Sequence, residues 1–120
     1  MISIIRIQDL EMEAIIGINP EERENPQGIV INVCLEYDAD RAIQTDDIKD
    51  ALDYKILTKK IIHEVKNTRF MLLEKLTKFV LDIVMGFPQV QYVKVSVGKP
   101  MALRFSKTVS CELATDRREL

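Results

Sequence analysis

Two charged residues of this sequence, Glu22 and Lys99, stand where a protein could use them to move protons. Glu22 follows the segment 16–20 (IGINP), whose glycine and proline indicate that the chain leaves a strand and enters a connection. Lys99 lies between Gly98 and Pro100, and a proline favours an extended conformation in the residue before it. Carboxylates and amines are common general acids and bases. Each residue alone is more often a solvated surface charge, so the two form a candidate acid/base set that needs further support.

Two other residues are candidates for binding a ligand. Glu74 interrupts the apolar run 70–73 (FMLL) near the start of a predicted helix, where the helix dipole favours an ionised carboxylate. Its two oxygens could accept hydrogen bonds from an N–H pair on a heterocycle. Tyr54 precedes another predicted helix and offers a phenol hydroxyl or an aromatic face. The alternatives are a glutamate that faces water and a tyrosine packed in the core.

Other reaction classes find little support. His63 is the only histidine, and its place among charged residues in the middle of a helix favours a surface position. No Ser-His-Asp or Cys-His arrangement is indicated. Zinc normally takes three or four His, Cys or carboxylate ligands, so no metal site is predicted. The cluster of Asp46, Asp47 and Asp50 could hold magnesium but is more typical of a solvated helix start.

Composition narrows the class of protein and its location. The chain has 120 residues and a formal net charge of −2, without the clustered basic excess of a nucleic-acid-binding protein. No apolar run approaches the roughly 18 to 20 residues that cross a bilayer, and no secretory signal is visible, so we expect a cytoplasmic protein. Cys34 and Cys111 lie in alternating apolar segments, which predicts buried, reduced thiols.

The candidate residues must be positioned by strands and helices that the hydrophobic pattern predicts. Apolar and polar residues alternate in 2–16 and again in 29–37, with a connection rich in Asn, Pro and Gly between them, which predicts a long antiparallel hairpin. Two further strands are predicted around 93–97 and 109–113.

Apolar residues recur at helical spacing in 57–65 and in 72–84, and Gly86 and Pro88 end the second of these helices. The order ββααββ predicts one α+β domain over residues 1–120, with both helices on one face of a four-stranded antiparallel sheet. Such a sheet leaves two edge strands, which favours pairing with neighbouring subunits. The polar residues 116–120 are expected to fray.

Five segments carry a resemblance to a known family. These segments are Ile4–Ile7, Ile29–Val33, Leu57–Ile62, Arg69–Thr77 and Ala102–Phe105. Together the chain resembles the family of dihydroneopterin aldolase and dihydroneopterin triphosphate 2'-epimerase over nearly its whole length. The segments are closer to the epimerase branch, although Lys99-Pro100 also resembles the aldolase branch.

The resemblance implies the tunnelling fold, or T-fold, in which ββααββ subunits join edge to edge into tetrameric rings that commonly stack as octamers, with active sites between subunits. It implies that Lys99 is the principal acid/base group and that Glu22 orients hydroxyls or relays protons. Tyr54 would come from an adjacent subunit and protonate the intermediate.

The same resemblance implies a pterin-binding set. Glu74 and the backbone of Leu73 would anchor the ring, Leu52 and Asp53 would contact the substrate, and Gln27 would shape the loop.

The chemistry implied by the family needs no metal or organic cofactor, because the C6=N5 imine of a dihydropterin accepts the electrons of a retro-aldol cleavage. Protonation of the resulting enamine gives 6-hydroxymethyl-7,8-dihydropterin, whereas rotation and recapture of the aldehyde give the 2'-epimer. A triphosphorylated substrate could meet Arg69, Arg104 and Lys107. Epimerase is the favoured function and aldolase the alternative. A pterin- or purine-binding protein without turnover and a structural oligomerisation module are alternatives of other classes.

Overall fold

The computed structural model describes all residues from 1 to 120 as a curved sheet with helices on one face. The strands are β1 (Ile2–Ile16), β2 (Gln27–Asp38), β3 (Arg69–Phe70), β4 (Val90–Leu103) and β5 (Ser106–Asp116). The helices are α1 (Pro20–Glu24), α2 (Asp40–Thr45), α3 (Tyr54–Lys66) and α4 (Leu73–Met85), with single 3₁₀ turns at Ile48–Asp50 and Arg117–Glu119.

The strand order in the sheet is β3-β1-β2-β4-β5, and every pairing is antiparallel except that of β1 with β3. The predicted α+β class and the ββααββ order of the long elements are confirmed. The sheet has five strands rather than the predicted four, because the chain between α3 and α4 passes the edge of β1 at Ile15 and Ile16. A strand of two residues is too short to show any alternation.

The core lies between one face of the sheet and the two long helices. Leu57, Ile61 and Val65 of α3 are fully buried, as expected for residues four apart on one helix face. Helix α4 and strands β1, β2 and β4 supply the other fully buried side chains, among them Leu76, Val80, Val84, Ile16, Ile31, Leu35, Val93, Val95 and Val97. The sheet face opposite the helices carries polar residues such as Arg6, Asn32, Lys94 and Glu112, together with the apolar Ile4 and Val30.

Strand β1 contains a bulge that the alternation did not predict. The pairing register with β2 shifts between Ile7 and Leu10, and Asp9 takes a left-handed φ of 55°. The N–H of Asp9 donates to Oδ1 of Asn32 at 2.8 Å. Since the bulge adds a residue, Ile7 and Leu10 both pack toward the core despite their spacing of three.

Two smaller expectations were wrong. Residues 117–119 form a 3₁₀ turn rather than a frayed tail, because the Arg117 guanidinium donates to the carbonyls of Val90 (2.8 Å), Met85 (2.5 Å) and Phe87 (3.4 Å). Cys34 and Cys111 are free thiols but only half-buried.

His63 is exposed, as predicted. No helix is both long enough and apolar enough to cross a membrane.

Candidate active site

The loop after β1 holds Glu22 in a bent-back position. Asn19 and Pro20 start the short helix α1, and Glu22 lies in its first turn. Gly17 has a φ of 128°, which favours glycine, and the Glu22 carboxylate lies over its α-carbon. A methyl group at position 17 would stand 2.3 Å from Cδ of Glu22. The Glu22 carboxylate therefore occupies the space that a side chain at position 17 would fill.

Lys99 reaches this carboxylate from β4. Its Nζ lies 2.8 Å from Oε2 of Glu22, and the two side chains are only 13% and 19% exposed. Seventy-seven residues separate the two in sequence. The structure thus brings the two predicted acid/base candidates into one ion pair.

Two neutral donors complete the surroundings of Glu22. Gln27 donates from Nε2 to Oε2 of Glu22 at 3.2 Å and to the Ile16 carbonyl at 2.8 Å, and the N–H of Asn19 donates to Oε1 at 3.2 Å. The Lys99 ammonium, the Asn19 N–H and Gln27 together outweigh burial and lower the pKa of Glu22 to about 2. At neutral pH this carboxylate is ionised and accepts hydrogen bonds only.

The proposed pterin anchors lie at the start of α4. Leu73 is its first residue, and Leu72 precedes it without a side-chain cap, so backbone N–H groups and the exposed Glu74 carboxylate are both available there. A donor beside a charged acceptor suits a planar heterocycle that carries both kinds of group. This segment is tied to the Glu22 loop through β3, where the N–H of Gly17 donates to the Phe70 carbonyl at 3.3 Å.

The remaining predicted residues lie at the start of α3. The Asp53 carboxylate caps that helix, accepting from the N–H groups of Lys55 (3.0 Å) and Ile56 (3.2 Å). Leu52 is only 2% exposed. Both side chains thus have roles in the fold, and the Asp53 carbonyl accepts from the N–H of Leu57 at 3.1 Å, which leaves the Leu52 main chain and the Asp53 N–H for a ligand. Tyr54 is 53% exposed, and its hydroxyl bonds to nothing within the chain.

The basic residues named for a triphosphate are not gathered in one place. Arg104 lies over the ring of Phe105, 5.5 Å from its centroid, in the exposed turn between β4 and β5. Lys107 is exposed near the start of β5. Arg69 lies in β3 and donates to the Arg23 carbonyl at 2.5 Å, close to the Glu22 loop.

No group of three or more His, Cys, Asp or Glu side chains lies close enough to share a metal ion. In the aspartate cluster, Asp47 caps the 3₁₀ turn by accepting from the N–H of Lys49. Asp50 accepts from Arg41 at 2.9 Å and from Thr45 at 2.7 Å. These two carboxylates have structural partners.

Three contributors to the site escaped prediction, namely Gly17, Asn19 and the direct contact of Gln27 with the carboxylate. One signal was present in the sequence, because Asn19 and Glu22 have the spacing of a capping box, in which the glutamate turns back to the N-cap N–H. The close approach at Gly17 leaves no such pattern.

The chain is similar to known proteins over nearly its whole length. A model of the family described as FolB, dihydroneopterin aldolase, matches residues 5–114. The chain is 49% identical over 115 residues to dihydroneopterin triphosphate 2'-epimerase of Escherichia coli K12, covering 96% of each chain. It is 46% identical over 113 residues to the enzyme of that name from Pseudomonas aeruginosa PAO1, covering 94% of this chain and 92% of the relative.

Among solved structures, E. coli dihydroneopterin aldolase in complex with neopterin superposes with a TM-score of 0.89. The alignment covers 94% of this chain and 98% of the other at 23% identity, so the likeness is one of fold.

Proposed function

The chain belongs to the dihydroneopterin aldolase family, and from that premise we propose that it is an enzyme acting on the side chain of a dihydropterin. Its main reaction in this proposal is the 2'-epimerisation of 7,8-dihydroneopterin triphosphate to dihydromonapterin triphosphate, with some aldolase cleavage. The observation that carries the proposal is the half-buried pair of Glu22 and Lys99, 2.8 Å apart, in a chain so similar to named epimerases.

The reaction begins at the 2'-hydroxyl of the substrate. In this proposal the Lys99 ammonium first releases a proton to solvent, and its Nζ then takes the hydroxyl proton while Glu22, which can only accept hydrogen bonds, holds the side-chain hydroxyls in place. The C1'–C2' bond breaks, C2' becomes an aldehyde, and the electron pair moves through C1' into the C6=N5 imine. The products of this step are a pterin enamine and a glycolaldehyde fragment.

Two fates of the enamine give the two activities. If the aldehyde turns over and C1' attacks its other face, the Lys99 ammonium returns the proton to the 2'-oxygen, and the product is the epimer. If the fragment leaves first, C1' is protonated instead and 6-hydroxymethyl-7,8-dihydropterin results. In this proposal Tyr54 of a neighbouring subunit supplies that proton.

Recognition of the ring is assigned to the start of α4. The Glu74 carboxylate accepts from the amino and ring N–H groups of the pterin, and the Leu73 backbone contacts the adjacent edge. The main chain at Leu52 and Asp53 contacts the substrate together with Tyr54. No cofactor takes part, because the substrate's own imine is the electron sink.

The epimerase assignment rests on whole-chain similarity rather than on the acid/base pair, which serves either reaction. The identity is 49% and 46% to two epimerases but 25% to the E. coli aldolase. Predominant aldolase activity is the second candidate, favoured by Lys99-Pro100. A non-catalytic pterin or purine binder would have no need of a half-buried acid/base pair, and a structural module would have no need of Glu74 at an uncapped helix start.

We propose that the working protein is a homo-oligomer, a tetramer or octamer, in the cytoplasm. The outer edge of β5 is unpaired, and β3 covers β1 only at Ile15 and Ile16, so two long strand edges are available to neighbouring subunits. Free Cys34 and Cys111 suit a reducing compartment.

The test is product analysis with the purified protein. 7,8-Dihydroneopterin and its triphosphate are incubated in parallel, and the 2'-epimer is separated from 6-hydroxymethyl-7,8-dihydropterin by chromatography. We expect the epimer to dominate with the triphosphate. A mixture dominated by hydroxymethyldihydropterin would establish the aldolase alternative, and pterin binding without turnover would establish the binder.

A further inference from the structure

The side chain of Arg23 joins two segments that carry different parts of the site. Its NH1 donates to the carbonyls of Gly17 at 3.0 Å and Phe70 at 3.1 Å, and its NH2 donates to the carbonyl of Arg69 at 2.6 Å. Arg69 donates back to the Arg23 carbonyl. A planar guanidinium can serve several acceptors at once, whereas a lysine ammonium lacks that fork geometry.

The segments joined in this way have few other connections. Strand β3 has only two residues, and its pairing with β1 involves only Ile15 and Ile16. On one side of Arg23 lies Glu22, the partner of Lys99. On the other side, Phe70 leads within three residues to the helix start at Leu73, beside Glu74.

We propose that Arg23 is a positioning residue that sets the distance between the acid/base pair and the pterin anchor. The proposal rests on the proposed function. In the proposed function Glu74 holds the ring and Lys99 acts on the side chain. The Arg23 clamp therefore determines how closely C1' and C2' of the bound substrate approach the acid/base pair. A displacement of about 1 Å in such a geometry can cost about 100-fold in rate.

The clamp also bears on the balance between the two products. Epimerisation needs the aldehyde to stay next to the enamine until C1' attacks it, whereas cleavage needs only release and protonation. A looser connection between the Glu22 loop and the Glu74 segment slows recapture of the aldehyde by C1' more than it slows release of the aldehyde. Loss of the clamp therefore shifts the products toward hydroxymethyldihydropterin, which a general loss of stability would not do.

The chain supplies a matched control for this idea. Arg117 also donates to three carbonyls, those of Val90, Met85 and Phe87, but it does so where β4 begins. Lys99 lies nine residues further along that strand, about 30 Å away. Arg23→Gln and Arg117→Gln thus remove similar clamps at opposite ends of the sheet.

The experiment compares both variants and Arg23→Lys with the unchanged protein. Four quantities are measured: kcat and KM with dihydroneopterin triphosphate, the ratio of epimer to hydroxymethyldihydropterin, and amide hydrogen exchange in residues 17–25 and 69–74. We expect Arg23→Gln to lower kcat about 10-fold or more, with a smaller change in KM, to raise the cleavage fraction, and to speed exchange in both segments. Arg23→Lys should show the same changes more weakly, so it replaces Arg23→Gln if that variant does not fold.

Arg117→Gln should lower thermal stability while leaving the product ratio and the exchange of the two segments unchanged. The inference is overturned if Arg23→Gln keeps the product ratio, or if both variants change it alike. Failure of the proposed function gives a different result, namely no epimer from the unchanged protein. In that case hydrogen exchange alone tests whether Arg23 holds the two segments together. Faster exchange confined to the Arg23 variants supports this role, and unchanged exchange refutes it.

Discussion

The Glu22 carboxylate accepts hydrogen bonds from three donors. One of these donors is Lys99, the residue proposed to transfer the proton. Because Lys99, Asn19 and Gln27 approach from different segments, the carboxylate has a defined orientation even though it lies in a short loop helix. Its role in the reaction is thereby limited to that of an ionised acceptor. The proposed mechanism gives two residues separate tasks, proton transfer to Lys99 and ring recognition to Glu74.

These separate tasks predict opposite kinetic effects of two substitutions. Lys99→Ala should lower turnover by about 100-fold or more with little change in pterin affinity, as expected for a proton-transfer group. Glu74→Ala should weaken pterin binding by about 30- to 150-fold, equivalent to about 2 to 3 kcal/mol, because a charged partner of the ring is lost. Single-turnover kinetics and pterin titration measure the two effects. Normal pterin binding by Glu74→Ala would rule out the anchor assignment.

The ion pair also predicts a dependence of stability on pH. Since folding lowers the pKa of Glu22 from 4.5 to about 2, its contribution is present above about pH 4.5 and is lost as the pH falls toward 2. Urea unfolding at about pH 6 and about pH 3 should therefore show Glu22→Gln to be less stable than the unchanged protein at the higher pH, with a smaller difference at the lower pH. Glu21→Gln is the control, because the Glu21 carboxylate forms no hydrogen bond or ion pair. An equal difference at both pH values would contradict the expectation.

Gly17 should be as necessary as the charged residues. Gly17→Ala places a methyl group 2.3 Å from Cδ of Glu22 at a φ that other residues rarely adopt, so the carboxylate must leave its position. We expect a loss of about 1 to 3 kcal/mol in stability and the loss of most activity. Gly28→Ala is the matched control, since no atom lies within 4 Å of the added carbon. Full activity in Gly17→Ala would show that the position of Glu22 is not required.

The strands and helices show how far the sequence predicts this fold. The long elements follow from period-two and helical apolar patterns, because each buries one continuous face. The bulge at Asp9 could have been inferred from the sequence, because the core-facing residues Ile7 and Leu10 are three apart and an unbroken strand places core-facing residues two apart. The prediction treated the two alternating stretches as one regular strand. Strand β3 is too short for any pattern. The approach of Lys99 to Glu22 depends on how distant segments pair, so only the family resemblance predicted it.

The bulge in β1 has its own test. Asn32→Val suits a strand but removes the oxygen that accepts the Asp9 N–H, and we expect a loss of about 0.5 to 1.5 kcal/mol in unfolding free energy. Asp9→Gly keeps that hydrogen bond and suits the φ of 55°, so it should be neutral or stabilising. Denaturant unfolding compares the two. Should Asn32→Val be as stable as the unchanged protein, the bulge would be set by packing alone.

The single chain leaves strand edges unpaired and several apolar side chains exposed. The end of β4 exposes Met101 and Leu103, and the turn that follows exposes Phe105 by 93%. Ile2 and Ile4 are exposed near the start of β1. Unpaired strand edges with apolar neighbours favour association. In the proposed oligomer, one edge of each subunit pairs head to tail with the other edge of the next, and the same contact repeats around a closed ring. Tyr54, with no partner in its own chain, is then available to the site of a neighbour.

A shared site can be tested by mixing two inactive proteins. Tyr54→Phe and Glu74→Ala homo-oligomers should each be weak, because every site lacks one group. In a ring assembled from equal amounts of both chains, a site is intact when its Glu74 comes from the tyrosine variant and its Tyr54 from the glutamate variant. Random assembly makes this true for about one quarter of the sites, so activity should return to about a quarter of the original. The chains are dissociated, mixed and reassembled, and mass spectrometry of the intact oligomers measures how far they have mixed. If the site lay within one chain, every site in the mixed ring would still lack one group, and no activity would return.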